Sequence, residues 1–239
     1  MSLAPAMLAA LVILVFVGIV LLMFRASKKY QAEKSLQAQS LGFEPVGEIP
    51  AELLNRVEDL YKNKNNPTLE IENLYQRSEL DSVIYLFDLI GTDNEDSTLG
   101  TEIFGVISKE LALPRFSLTT IPAFARQGGI GALMDKLMDK VMDMAAKHQE
   151  LSRIEFPDRP SFDDQCIVFG NDEHAVRDLM KHINLDRYSR EYVPLHIAGL
   201  GDFLTVDFSY ISSGNDPKNL LETQYRGLGE IIRWFERKW

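Results

Sequence analysis

Four histidines and one cysteine are the residues best suited to metal or nucleophilic chemistry: His148, His174, His182, His196 and Cys166. Zinc sites need thiolates or imidazoles at short, regular spacing, as in CxxC or HExxH, and neither motif occurs in the chain. His174 and His182 stand eight positions apart, too far for a pair on adjacent helical turns. Cys166 lies in DDQCIVFG beside Asp163 and Asp164. Their negative charge disfavours a thiolate, so a buried structural cysteine is expected. No catalytic residue, metal ligand or cofactor follows from these five side chains.

Carboxylates cluster in GTDNEDSTLGTE, at Asp93, Glu95, Asp96 and Glu102. A calcium-binding EF-hand loop needs glycine at its sixth position and a bidentate acid at its twelfth. Counted from Asp93, those positions hold Thr98 and Phe104, so an acidic hairpin loop is the simpler reading. GGIGAL has the glycines of a phosphate loop without its Lys-Ser/Thr, and reads as a hinge.

Two stretches have the composition of contact surfaces. In ALMDKLMDKVMDMAAKHQE, Met134, Met138 and Met142 extend an apolar helical stripe with Leu133, Leu137 and Val141. Methionine fills irregular cores and also makes adaptable docking surfaces. A stripe at this spacing reads first as core, with docking as the alternative. In IIRWFERKW, Trp234 and Trp239 stand among Arg233, Arg237 and Lys238. Tryptophan with basic residues suits a membrane interface, while Leu228, Ile231 and Phe235 suit packing on a sheet.

The elements that would carry these residues follow from periodicity. IPAELLNRVEDLYKNK is an amphipathic helix through Leu53, Leu54, Val57, Leu60 and Tyr61, with Pro50 in its first turn. TLEIENLYQRS, DSVIYLFDLIG, TEIFGVISKE and LPRFSLTTIP alternate and are rich in β-branched and aromatic residues. Short links favour a four-stranded antiparallel meander. SRIEFPD, QCIVFG, PLHIAG and DFLTVDFSY predict further strands. NDEHAVRDLMKHI predicts a short helix capped by Asn171 or Asp172, and DPKNLLETQYRGLGEIIRWFERKW a final helix with Asp216 as cap and Pro217 in its first position.

Before all of these stand 19 consecutive uncharged residues, Ala6–Phe24, including Leu11, Leu14, Phe16, Val20 and Leu22. As a helix they would span roughly 28 Å, close to the hydrocarbon thickness of a bilayer. No basic residue precedes them, and bulky Met23 and Phe24 stand where a signal peptide would have a small-residue cleavage site. A permanent membrane anchor is the expectation, with the lipid bilayer as partner through residues 6–24. Arg25, Lys28, Lys29 and Lys34 follow, which places the N-terminus outside and the rest in the cytoplasm of a single-pass protein.

The net charge of −10 lies wholly after residue 24 and disfavours nucleic acid as a partner. The expected fold is α+β: a transmembrane helix at 1–24, a juxtamembrane helix and linker at 25–48, then a soluble domain at 49–239. That domain should consist mainly of antiparallel strands with several amphipathic helices, with a division into subdomains near 125–130 as an option.

Four stretches, IYLFDLIG, LALPRFSLTTIP, RIEFPDRPSF and VFGNDEHAVRDL, together resemble a loose group of uncharacterised bacterial single-pass membrane-associated proteins over about residues 81–180. Ile121 and Leu89 depart from that group's pattern. The resemblance implies a shared fold and a membrane context, and transfers no catalytic residue. The expected function is a membrane-anchored, cytoplasm-facing domain that binds or scaffolds an unspecified protein. A membrane-surface enzyme, or an accessory subunit of a membrane-protein complex, is the alternative.

Overall fold

The structure is a computed structural model that describes residues 25, 28–29, 31–61, 69–91, 101–121, 151–181, 183, 195–208 and 220–236. It divides into two units, Met1–Phe43 and Glu44–Trp239. Residues 6–24, the expected anchor, lie outside the described residues, as does the methionine stripe with Met134, Met138 and Met142. Among the described residues no helix is long and apolar enough to cross a membrane.

In the first unit, residues 31–40 form helix α1. It ends where Gly42 turns to a positive φ of 81°, a conformation that glycine adopts without a Cβ penalty. Gly42 N donates to Gln39 O and Phe43 N to Ala38 O, the paired bonds of a Schellman cap that satisfy carbonyls left open by the last turn.

The second unit is built on one nine-stranded sheet in which every paired neighbour is antiparallel. Its strands are β1 (Glu44–Pro45), β2 (Leu69–Ser78), β3 (Ser82–Gly91), β4 (Thr101–Ser108), β5 (Leu113–Thr120), β6 (Ser152–Ile154), β7 (Cys166–Gly170), β8 (Leu195–Gly201) and β9 (Phe203–Phe208). Among the described residues four helices accompany it: α2 (Ala51–Tyr61), α3 (Pro160–Asp163), α4 (Glu173–Met180) and α5 (Leu220–Phe235). The α+β class is as the periodicity predicts. Strands from both sides of residues 125–130 share the one sheet.

The strand order, β1-β2-β3-β4-β9-β8-β5-β7-β6, corrects the four-stranded meander. β2, β3 and β4 do form a meander, but β5 does not pair with β4. The β8–β9 hairpin inserts between them, pairing β4 through β9 and β5 through β8. Burial explains the insertion. Phe203, Leu204, Thr205 and Val206 are all buried, so β9 has no face to give to water and must lie centrally between two neighbours. The outer strands are β1, of two residues, and β6, of three. Short edges offer little template for pairing with another chain.

The two faces of the sheet are closed differently. On one, Leu53, Val57 and Leu60 of α2 pack with Ile71, Leu74, Tyr85, Phe87, Ile103, Ala198 and Phe203. Leu74 reaches this cluster at a bulge in β2, where Asn73 takes a positive φ of 50° and its amide donates to Asp88 Oδ2 at 2.6 Å. Asparagine tolerates that left-handed conformation better than most residues. Pro50 lies just before α2, where its carbonyl accepts the first helical bond from Leu54 N.

On the other face, α5 buries Leu221, Gln224, Leu228, Ile231 and Phe235, and the Phe235 ring lies 5.3 Å from that of Phe116 on β5. Phe235 and Ile231 thus pack as the stripe predicts, and Trp234 is half-buried with its ring 6.5 Å from Phe235. Asp216, Pro217 and Trp239 lie outside the described residues.

Two glycines let side chains settle on this second face. A Cβ on Gly199 would sit 2.6 Å from Phe116 Cε1 and 2.8 Å from Leu113 Cδ1. One on Gly170 would sit 2.7 Å from Val176 Cγ2 of α4. Gly199→Ala is therefore expected to cost about 1–3 kcal/mol, the usual range for overpacking a filled core. Urea denaturation of the variant should show a lower midpoint with an unchanged slope.

α4 opens as predicted. Asp172 is its N-cap, and its carboxylate accepts from Ala175 N at 3.0 Å. At the other end Arg159 donates to the carbonyls of Met180 and Ile183 at 2.6 and 2.8 Å, and its guanidinium lies over the Phe162 ring at 4.3 Å. The short helix α3 that presents Phe162 was not legible as a helix; SRIEFPD and QCIVFG predict only the strands beside it.

Candidate functional site

Polar side chains gather on the α2 face, at the centre of the sheet. β5 reads Phe116-Ser117-Leu118-Thr119, and β9 reads Leu204-Thr205-Val206-Asp207. In each, period-two alternation turns the apolar residues to the α5 face and the polar ones to the α2 face. The register then aligns them. Asp207 of β9, His196 of β8 and Thr119 of β5 are direct neighbours in one row, and Thr205, Ala198 and Ser117 in the next.

The contacts within this patch are specific. Ser117 Oγ and His196 Nε2 lie 2.9 Å apart. Tyr61, the last residue of α2, places its hydroxyl 2.6 Å from Thr205 Oγ1, and Thr205 Oγ1 donates to Ala198 O at 3.3 Å. Each hydroxyl thus has a partner, as buried polar groups require. Burial raises the Tyr61 pKa well above the usual phenol value; the hydrogen bond with Thr205 opposes the rise and the Asp207 carboxylate adds to it.

A serine beside a histidine raises the question of nucleophilic chemistry. Such a pair needs a base matched to the working pH and a third group that orients it. The His196 ring is closely surrounded by protein, and burial pushes its pKa down to about 4. Asp207 is the neighbour across the strand pair, and the fall comes from burial. At neutral pH the ring is an uncharged, weak base, so it suits a fixed hydrogen-bond partner better than a proton acceptor in catalysis.

Beside this patch, Arg56 of α2 donates to Asp202 Oδ2 at 2.7 Å and ties the helix to the β8–β9 turn. Arg115 Nη2 lies 3.5 Å from Leu60 O in the last turn of α2, where a cation is favourable to the helix dipole.

The residues singled out in the sequence are dispersed. Cys166 is buried and its thiol faces Phe162 O at 3.3 Å, a structural role as expected. His174 is an exposed residue of α4, while His148 and His182 lie outside the described residues. Of the acidic loop only Glu102 is described; register places it beside Asp88, which in turn lies beside Glu72. Among the described residues no group of three or more histidine, cysteine or acidic side chains is arranged to hold a metal ion.

The patch itself was missed. Its signal, small polar residues alternating with large apolar ones, is present in β5 and β9. What joins the two strands is the register of β8 between them, which no local pattern contains.

No family model matches the chain, and no curated protein matches it. Among solved structures, the crystal structure of the mycobacterial trehalose monomycolate transport factor A, TtfA, is similar, with 9% sequence identity and a TM-score of 0.48 over 86% of this chain and 91% of that one. A likeness of that degree assigns no function.

Proposed function

We propose that the chain is a single-pass membrane protein whose cytoplasmic α+β domain binds or scaffolds a protein partner. The observation that carries the reading is the uncharged stretch Ala6–Phe24, followed at once by Arg25, Lys28 and Lys29. Length fits the bilayer, and the basic flank fits retention of the C-terminal side in the cytoplasm. Binding is favoured over catalysis because the contact between Ser117 and His196 pairs the hydroxyl with a weak base. That same contact is what favours the alternative, an enzyme at the membrane surface. A role as accessory subunit of a membrane-protein complex is a form of the binding reading. In that form Trp234, with Trp239 and the methionines Met134, Met138 and Met142, supplies candidate contact residues.

The anchor and its direction are tested together in intact cells. A tag after Trp239 should resist external protease until the membrane is opened, and the protein should stay with the membrane in alkaline carbonate. Digestion of the tag in sealed cells would reverse the orientation. A mature N-terminus near Ala26 would show a cleaved signal in place of an anchor.

A further inference from the structure

We propose that the outer edge of β2, from Leu69 to Glu72, is a docking site for an extended segment of a partner protein that alternates basic and apolar side chains. The inference rests on the binding reading and deepens it by naming the surface and the chemistry of the partner. β1 pairs only with Tyr75 and Gln76, and Val46 N then donates to Leu74 O. From there the chain leaves for α2 through Gly47, Glu48 and Ile49, all exposed. Leu69, Glu70, Ile71 and Glu72 therefore pair with β3 alone among the described residues. Such an edge presents N–H and C=O groups at the spacing that a guest strand needs.

Side-chain chemistry selects the guest. Residues directly opposite each other on paired strands share a face of the sheet. On the α2 face, a guest residue opposite Ile71 would extend the cluster to which Ile71 belongs, and against which Leu69 and Val46 are only partly buried. On the other face the guest would meet Glu70 and Glu72, both exposed. No ion pair engages either carboxylate among the described residues. Glu72 also continues a row of carboxylates, because the register sets it beside Asp88 and sets Asp88 beside Glu102. Adjacent like charges are unfavourable, and a lysine or arginine at the outer end of the row offsets them. The same charges reject a second copy of this chain. Two β2 edges paired antiparallel about Ile71 would set Glu70 of each against Glu72 of the other. The bulge at Asn73, whose amide donates to Asp88 Oδ2, ends the regular edge and limits how far the guest can pair.

The test uses the full chain in a neutral detergent and a dye-labelled synthetic peptide in which lysine and valine alternate. Two companion peptides carry glutamate in place of lysine, or methyl groups on the backbone amide nitrogens. By fluorescence anisotropy the lysine peptide should bind roughly tenfold tighter than the glutamate peptide, and added sodium chloride should narrow the gap. It should also slow amide hydrogen exchange in β2, read by mass spectrometry. N-methylation should abolish binding, because the charges remain but the ladder cannot form. The double variant Glu70→Lys, Glu72→Lys should prefer the glutamate peptide. No binding of the lysine peptide, equal affinity for the two charged peptides, or an unchanged preference in the variant overturns the proposal. So does binding that survives N-methylation, or slowed exchange confined to other strands. A wild-type dimer that shows the same β2 protection without peptide also overturns it, since a second copy would then be the occupant. Failure of the broader reading shows elsewhere: a tag digested outside sealed cells removes a cytoplasmic partner and leaves the peptide titration as it is.

Discussion

Phe116→Ala should remove about 3–5 kcal/mol of stability, the usual cost of truncating a fully buried phenylalanine. Phe116 is 0% exposed. Its ring meets Phe235 of α5 at 5.3 Å on one side and occupies the space left by the missing Cβ of Gly199 on the other. Alanine would lose both contacts, and the cavity could close only if α5 shifted towards the sheet. Phe116→Leu keeps most of the apolar volume and should cost markedly less. Urea denaturation followed by circular dichroism separates the outcomes. A loss under about 1 kcal/mol for Phe116→Ala would mean that the α5 face is not the closed core that the ring contacts describe.

Acid should destabilise the domain through His196, by up to about 3 kcal/mol. The ordinary imidazole pKa is about 6.5, and burial holds His196 near 4 in the folded state. Between those values the unfolded chain binds the extra proton and the folded chain does not, so stability rises with pH across this window. The contribution is complete above about pH 6.5 and is lost as pH falls towards 4. His196→Gln removes the titrating group. Its stability should fall less than that of the wild type between pH 7 and pH 4, whatever the carboxylates common to both contribute. Equal slopes for the two proteins would place the His196 ring in water, and with it the serine contact at 2.9 Å.

The contrast between these two sites shows what a single sequence carries. The α5 face was readable because Leu228, Ile231 and Phe235 recur at helical spacing, and because Asp172 and the α2 stripe announce helices by local chemistry. The α2-face patch was not. Ser117, His196 and Asp207 lie on three different strands, and His196 and Asp207 stand some 80 to 90 positions from Ser117. Alternation tells which residues share a face of one strand but not which strand lies alongside. The same limit produced the wrong neighbour for β4: short links favour sequential pairing, and only the two-sided burial of Phe203 to Val206 requires otherwise.

That distant pairing has a consequence for synthesis. A ribosome that has released β4 has roughly a hundred residues still to make before β9 exists to cover its free edge, which at about 5–20 residues per second is on the order of 5 to 20 seconds. During that interval Ile103, Phe104 and Val106 belong to the exposed border of an incomplete sheet on each nascent chain. Neighbouring chains on one messenger then present matching unpaired edges to each other. Correct assembly thus depends on the time taken to finish the chain, and a pause in translation between β4 and β9 would favour aggregation without altering the finished structure.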